Sequence, residues 1–180
     1  MNWIVFTTGF RQSPGELTAL EVLQNDIHRE FTDPNTRILL RSWKDDVREL
    51  AERIEAYKPT DYIFLIGYSY GGYSTKLLCK ELRKMGLNVT YCFMIDAVWR
   101  PTSFLPSSLS LLPHWKIKLP DNVKRCKSWR QQITRPYGHE VVPSELTEFQ
   151  EQTLIRGHVY MDDAFEIHDE IKSELRDYLK

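Results

Sequence analysis

The segment Gly67-Tyr68-Ser69-Tyr70-Gly71 frames one serine with a glycine two residues away on each side. An apolar run without alternation at residues 62–66 precedes it, as is typical of a strand buried on both faces, and a helical pattern follows over residues 71–84. A serine in a sharp turn between a buried strand and a helix has its hydroxyl raised above the sheet edge, and the glycines let both backbones pass closely. The spacing therefore predicts that Ser69 is a nucleophile.

The same turn has two other interpretations. Ser69 could simply cap the helix that follows it, as serine often does. The turn could also hold a phosphate group on the first N–H groups of that helix. The sequence has no lysine at P-loop spacing and no G-x-G-x-x-G pattern, which disfavours nucleotide binding at this turn.

Four segments, taken in order along the chain, resemble the α/β-hydrolase superfamily, and especially its small lipase-, esterase- and thioesterase-like members. They are the first strand ending at Gly9-Phe10, the elbow at residues 67–72, the strand end Phe93-Met94-Ile95-Asp96, and the pair Gly157-His158. The resemblance covers most of the chain, and the elbow is its specific part. The chain is short for the superfamily and begins directly with the strand that normally carries the oxyanion loop. The resemblance implies the chain order serine, acid, histidine.

A serine hydroxyl needs a base within hydrogen-bond reach, and that base needs an orienting carboxylate. His158 follows the last strand-like segment and precedes the closing helix, which is where this fold places its base. His139, in a polar loop after Gly138, is the main alternative. The other histidines are excluded by chain order or disfavoured by their position in an insertion or in the final helix: His28, His114 and His168.

Asp96 ends the apolar strand that follows the elbow helix. A carboxylate at the end of a buried strand is costly without a partner, and His158 would be that partner. In many superfamily members the acid lies one strand later, which corresponds here to residues 130–134, where no carboxylate occurs. Glu140 is displaced from that point and Asp121 precedes the strand. Asp96 is therefore the predicted acid, the alternative being that it caps a turn.

The resemblance also implies an oxyanion hole made of two backbone N–H groups, those of Tyr70 and Phe10. Residues 97–122 form an insertion rich in proline and apolar side chains, where this superfamily often places a cap or substrate-binding loops. These side chains either pack on the sheet or line an apolar pocket above Ser69. The residues predicted to line that pocket are Tyr68, Trp99, Phe104 and Leu105.

The alternation of strand and helix patterns predicts an α/β fold. We expect a three-layer α/β/α sandwich with a mostly parallel sheet of about five or six strands, forming a single domain over residues 1–180. Later strands are expected near residues 123–129 and, as a short strand, at residues 153–156. A closing helix is expected from about Asp162.

The composition limits the classes of partner. The formal net charge is −1 and the basic residues are scattered among acidic ones, so nucleic acid is not an expected partner. The three cysteines have no metal-ligand spacing, and neither a metal nor another cofactor is expected. Their odd number, and the apolar patterns around Cys79 and Cys92, favour a reducing compartment over a disulfide framework. Since no apolar run approaches the roughly 20 residues that span a bilayer and no signal peptide is evident, a cytoplasmic protein is expected.

Together these features predict a serine hydrolase that cleaves a small carboxylic ester or thioester through an acyl-enzyme on Ser69. Acyl transfer to another acceptor would use the same residues. A binding protein that has kept the fold without the catalysis is a further alternative. The sequence leaves the acyl length and the oligomeric state open.

Overall fold

The computed structural model describes residues 1–100 and 106–179 and contains eight strands in that part of the chain. They are β1 (Asn2–Thr7), β2 (Thr36–Arg41), β3 (Ile63–Tyr68), β4 (Val89–Ile95), β5 (Lys116–Lys118), β6 (Val123–Arg130), β7 (Glu140–Val142) and β8 (Glu148–Thr153). Six of them form one sheet in the order β2-β1-β3-β4-β6-β8, and every neighbouring pair is parallel. The strands β5 and β7 form a separate parallel pair.

Apolar side chains alternate between the two faces of the central strands. In β1, Ile4 and Phe6 contribute to the core on one face, whereas Trp3 and Val5 contribute to the core on the other. Every residue of β3 and β4 is buried. A strand buried on both faces requires cover on both faces, so the sheet must lie between two layers of helix.

Four helices supply those layers: α1 (Ala19–Glu30), α2 (Val47–Ala56), α3 (Tyr70–Lys84) and α4 (Phe165–Tyr178). The apolar stripes of α1 and α4 pack on one face of the sheet, and those of α2 and α3 pack on the other. Thr18 and Asp46 cap the starts of α1 and α2 by accepting a hydrogen bond from a backbone N–H of the first turn. The predicted three-layer sandwich is confirmed, and its sheet has six strands, all parallel, where about five or six were expected.

The strand order reverses between β1 and β3. The chain leaves β1 to form β2 on one side, and it leaves β3 to form β4 on the other. In open parallel sheets such a reversal opens a crevice at the carboxyl ends of the two strands, and ligands bind there. Because Thr7 pairs with Gly67 in the register of β1 and β3, the segments that follow these two strands meet at that crevice.

Two predicted boundaries were wrong. The last strand runs over Glu148–Thr153, so it ends where the sequence placed its start. It is an edge strand with mostly exposed charged and amide side chains, and Phe149 is its only large apolar residue, so its sequence carries little strand signal. The closing helix begins at Phe165, after a short 3-10 helix at His158–Tyr160 and a turn.

None of the helices within residues 1–100 and 106–179 is both long enough and apolar enough to cross a membrane.

Candidate active site

Ser69 lies in the turn between β3 and α3 with φ 55° and ψ −123°, a left-handed conformation that a non-glycine residue rarely adopts. Hydrogen bonds hold this turn on both sides. The Ser69 N–H donates to the Ile95 carbonyl at 3.0 Å, and the Ser69 carbonyl accepts from Gly72 and Val98 at 3.0 and 2.9 Å. A Cβ on Gly71 would lie 2.2 Å from the Thr7 carbonyl oxygen, so only glycine allows α3 to start this close to β1.

The Ser69 hydroxyl makes no side-chain cap to α3. Its Oγ instead lies 3.0 Å from Nε2 of His158. On the other side of that ring, Nδ1 lies 2.5 Å from Oδ2 of Asp96. The tautomer that satisfies both contacts carries its proton on Nδ1 and donates it to the carboxylate, which leaves Nε2 to accept the serine proton. The three residues therefore form one hydrogen-bonded chain.

Asp96 is fully buried at the end of β4, with φ 43°. A residue that the sequence did not identify, Gln131, holds its carboxylate. The Gln131 backbone N–H donates to Oδ1 at 3.0 Å and the Gln131 side-chain amide donates to Oδ2 at 3.0 Å. Gln131 directly follows β6, at the position one strand later where many superfamily members carry the acid. This position is a signal in the sequence, but a glutamine there cannot itself be the acid and instead holds the acid supplied by β4.

The backbone of His158 is fixed on both sides. Its N–H donates to Oγ1 of Thr134 at 2.7 Å, and its carbonyl accepts from the Tyr68 hydroxyl at 2.8 Å. Burial, reinforced by the charges of Asp162 and Asp96, raises the pKa of Tyr68, so the phenol stays neutral and remains a donor. The Tyr68 ring also stacks on the imidazole, with 5.4 Å between ring centroids.

The two residues predicted to supply the oxyanion hole belong to segments beside the turn that carries Ser69. Tyr70 is the first residue of α3, and Phe10 follows Gly9 in the loop after β1. Within residues 1–100 and 106–179, neither N–H donates to a protein acceptor. A Cβ on Gly9 would lie 3.1 Å from Cβ of Ser69, so glycine keeps this loop close against the serine.

The loop after β1 is tied to the segment after His158 through Gln12. The Oε1 atom of Gln12 accepts from the Gly9 N–H at 2.9 Å, and its Nε2 donates to Oδ2 of Asp162 at 2.8 Å. Asp162 is buried, and burial raises the pKa of its carboxyl. Because no local sequence pattern joins residues 150 positions apart, this contact could not be inferred before the fold was known.

A cavity of about 620 Å³ opens above Ser69. Its mouth carries the exposed apolar side chains of Leu111, which belongs to the apolar insertion, and of Val159, which sequence reasoning missed. Of the residues predicted for the pocket, Tyr68 lines the cavity. Other cavity residues are Phe10, Tyr70, Ser108 and Pro136.

Trp99 lies outside this cavity, contrary to the prediction. Its ring stacks on Trp115 with 4.1 Å between centroids and meets Tyr73 edge-on, because the insertion folds back onto α3 at this point. It lines a second cavity on that side of the molecule. The other two predicted pocket residues, Phe104 and Leu105, lie outside the described residues.

His139, the alternative base, is buried away from Ser69. Its Nδ1 accepts from the Trp99 N–H at 2.6 Å, and its Nε2 donates to the Leu112 carbonyl at 2.9 Å. Burial lowers the pKa of His139, which favours the neutral ring that both contacts require. This histidine therefore joins the start and the middle of the insertion to the segment just before β7.

No protein-family model and no curated protein sequence matches this chain. Solved structures match nearly its whole length. One of them comes from work on LipS and LipT, two metagenome-derived lipolytic enzymes. Its TM-score is 0.56 at 13% identity, and the alignment covers 98% of this chain and 94% of the matched chain. An α/β-hydrolase superfamily protein from Enterococcus faecalis has a TM-score of 0.54 at 13% identity, covering 100% and 90% of the two chains.

A further match is the RedJ thioesterase of the prodiginine biosynthetic pathway in Streptomyces coelicolor. Its TM-score is 0.55 at 10% identity, and the alignment covers 97% of this chain and 84% of that one. At such identities the likeness establishes a shared fold and not a shared activity.

Proposed function

We propose that this chain, which has the α/β-hydrolase fold, is a serine hydrolase acting on a carboxylic ester or thioester. The observation that carries the proposal is the hydrogen-bonded chain from Ser69 Oγ through the His158 ring to Asp96, at 3.0 and 2.5 Å. A nucleophile, a base and an orienting carboxylate in contact are the three groups that acyl transfer through a serine requires.

In the first half of the proposed reaction, Ser69 Oγ attacks the substrate carbonyl carbon while its proton passes to Nε2 of His158. The tetrahedral intermediate collapses, the leaving alcohol or thiol takes that proton, and the acyl group stays on Ser69. In the second half, His158 takes a proton from water, and the resulting hydroxide releases the acid and restores the serine. Asp96 keeps the imidazole in the tautomer that accepts at Nε2 and stabilises the imidazolium.

The negative oxygen of each tetrahedral intermediate needs donors that are already in place. We assign this role to the N–H groups of Tyr70 and Phe10. The position of Tyr70 at the start of α3 adds the positive end of the helix dipole. The contacts from Gln12 to Gly9 and to Asp162 hold the Phe10 side of this hole against the serine.

The lining of the cavity above Ser69 favours a substrate whose acyl group is apolar and binds in this cavity. Its walls are formed mainly by aromatic and aliphatic side chains, among them Tyr68, Tyr70, Leu111 and Val159. Burying such surface against an acyl chain contributes about 25 cal/mol per Å². We therefore expect turnover of activated esters to rise from acetate to medium-chain acyl groups.

A fluorophosphonate probe tests the nucleophile, because it forms a covalent bond with an activated serine oxygen. The wild-type protein should be labelled at Ser69, as located by peptide mass spectrometry, and Ser69→Ala should not be labelled. Ser108→Ala is the matched control, since Ser108 lines the same cavity without contacting His158. An unlabelled wild type, or equal labelling of Ser69→Ala when circular dichroism shows both to be folded, would refute the proposal.

A further inference from the structure

A second cavity, of about 500 Å³, lies between α3 and β5 on the side of the molecule. We call it the basic groove. Six of its lining residues are cationic and none is acidic: Lys76, Lys80, Arg83, Lys84, Lys116 and Lys118. No residue lines both this groove and the cavity above Ser69.

Three of these cations have a carboxylate partner at the rim. Each pair is exposed and close, at 2.6 to 2.8 Å: Arg83 with Asp121, Lys84 with Glu81, and Lys116 with Glu140. Across the described ranges, Lys76, Lys80 and Lys118 form no ion pair. The groove thus holds three positive charges that no protein carboxylate balances.

Lys76 is the most unusual of these three residues. Only 9% of the surface of this residue is exposed, and its Nζ lies 5.0 Å from the centre of the Tyr73 ring. Burial, and then the neighbouring charge of Lys80, lower its pKa to about 8. A lysine that is largely buried beside a like charge disfavours the folded protein unless an anion reaches it.

The lining indicates what kind of anion would fit. Lysine ammonium groups are compact donors that suit phosphate oxygens, and three unbalanced charges match a ligand carrying two or three negative charges. The other wall is apolar and is formed by Tyr73, Trp99 and Leu119. A cavity of about 500 Å³ is much larger than one phosphate group, so it has room for an organic remainder.

We propose that the basic groove is a binding site for a small organic phosphate, of the size and charge of a nucleoside diphosphate. Lys76 and Lys80 bind the phosphate oxygens at the floor, and the wall formed by Tyr73 and Trp99 packs on the organic part. The concave shape and the buried position of Lys76 favour a small molecule over a flat macromolecular surface.

Isothermal titration calorimetry with ADP, at low ionic strength and neutral pH, tests this proposal. The wild-type protein should bind ADP, and Lys76→Met and Lys80→Met should each raise the Kd at least about tenfold. Lys172→Met is the matched control, because Lys172 is also largely buried but pairs with Asp169 on α4, on the other face of the sheet. That variant and Ser69→Ala should bind ADP as the wild type does.

Titrations with adenosine and with inorganic pyrophosphate test the contributions of the apolar wall and of the lysines to ADP binding separately. Pyrophosphate should compete with ADP, whereas adenosine alone should bind too weakly to detect. Removing the Lys76 charge from this largely buried position should also raise the Tm of Lys76→Met without ligand, which checks that the variant is folded. The proposal is overturned if the wild type does not bind ADP, if Lys76→Met binds it equally well, or if Lys172→Met loses binding to the same extent.

Discussion

His158 and His139 are both buried histidines in loops near the carboxyl edge of the sheet, yet their ring nitrogens meet different partners. His158 has a carboxylate on one nitrogen and a hydroxyl facing a cavity on the other. Both nitrogens of His139 are taken up by the backbone, one by the Trp99 N–H and one by the Leu112 carbonyl. The contacts of the first ring suit the proton transfer of the proposed mechanism, whereas those of the second hold two segments of the chain together.

The difference shows that burial alone does not make a histidine a base. A charged imidazolium needs a compensating negative group, and Asp96 supplies it for His158. His139 has no such hydrogen bond, and its pKa is lowered by burial, so its neutral form is the stable one. We therefore expect substitutions in the His158 loop to affect catalysis and substitutions of His139 to affect stability.

The largest expected effect is that of His158→Ala. This variant loses the base for both halves of the reaction, so kcat/KM for an activated ester should fall on the order of 10⁶-fold or to the assay background. His139→Gln, once folded, should stay within about twofold of the wild type, because it touches no reacting atom. If the two variants showed the reverse pattern, the base would be His139.

Asp96→Asn should lower kcat about 10⁴-fold, because an amide cannot hold the imidazole in the tautomer that accepts at Nε2. Asp121→Asn provides the control, since Asp121 is an exposed carboxylate at the opposite edge that pairs with Arg83. Steady-state kinetics on the same ester measures both variants. Full activity in Asp96→Asn would remove this residue from the proposed mechanism.

Gln131→Leu should lower kcat about 10- to 100-fold with little change in KM, because the buried carboxylate of Asp96 loses a side-chain donor worth about 1.5–3 kcal/mol. Its neighbour Gln132 is exposed, and Gln132→Leu should leave kcat unchanged. Because the Gln131 side chain also bonds the backbone of residues 133, 134 and 136, some loss of stability is expected, and a positioning role predicts that kcat falls in the fraction of protein that remains folded. A loss of activity that only follows a loss of folded protein would argue for a purely structural role.

His139→Gln should reduce the free energy of unfolding by about 1–3 kcal/mol, since the new side chain cannot satisfy both backbone groups in the same geometry. Urea denaturation followed by tryptophan fluorescence measures this change. His28→Gln on the exposed face of α1 is the control and should lie within about 0.5 kcal/mol of the wild type. Equal stability of all three proteins would contradict the assigned role of His139.

The same histidine should make stability depend on pH. Because burial lowers its pKa, the unfolded chain binds a proton near pH 6.5 that the folded chain does not bind. Stability should therefore fall as the pH drops below 6.5, by at most about 1.4 kcal/mol per unit from this group. We expect the free energy of unfolding of His139→Gln, measured by urea denaturation from about pH 7 to about pH 5, to change less steeply with pH than that of the wild type. An unchanged dependence on pH would assign the effect to other groups.

Much of the fold could be predicted because its signals are local. The apolar runs of β3 and β4 and the glycines around Ser69 are each readable within a few residues. The bounds of β8 were predicted wrongly because an edge strand exposes its side chains and needs few apolar residues. Trp99 was assigned to the wrong cavity because an apolar residue in an insertion gives no indication of which surface it covers.

The sequence by itself determined the α/β architecture and the turn that presents Ser69, because periodicity and glycine spacing act over short distances along the chain. It also supplied Asp96 and His158 as candidates in the right order. Only the tertiary structure decided which of two buried histidines meets Ser69, that Gln131 holds Asp96, that Gln12 joins the first loop to Asp162, and that six cations share one groove. These contacts join residues far apart in the chain, and their partners are set by how the layers pack rather than by any local pattern.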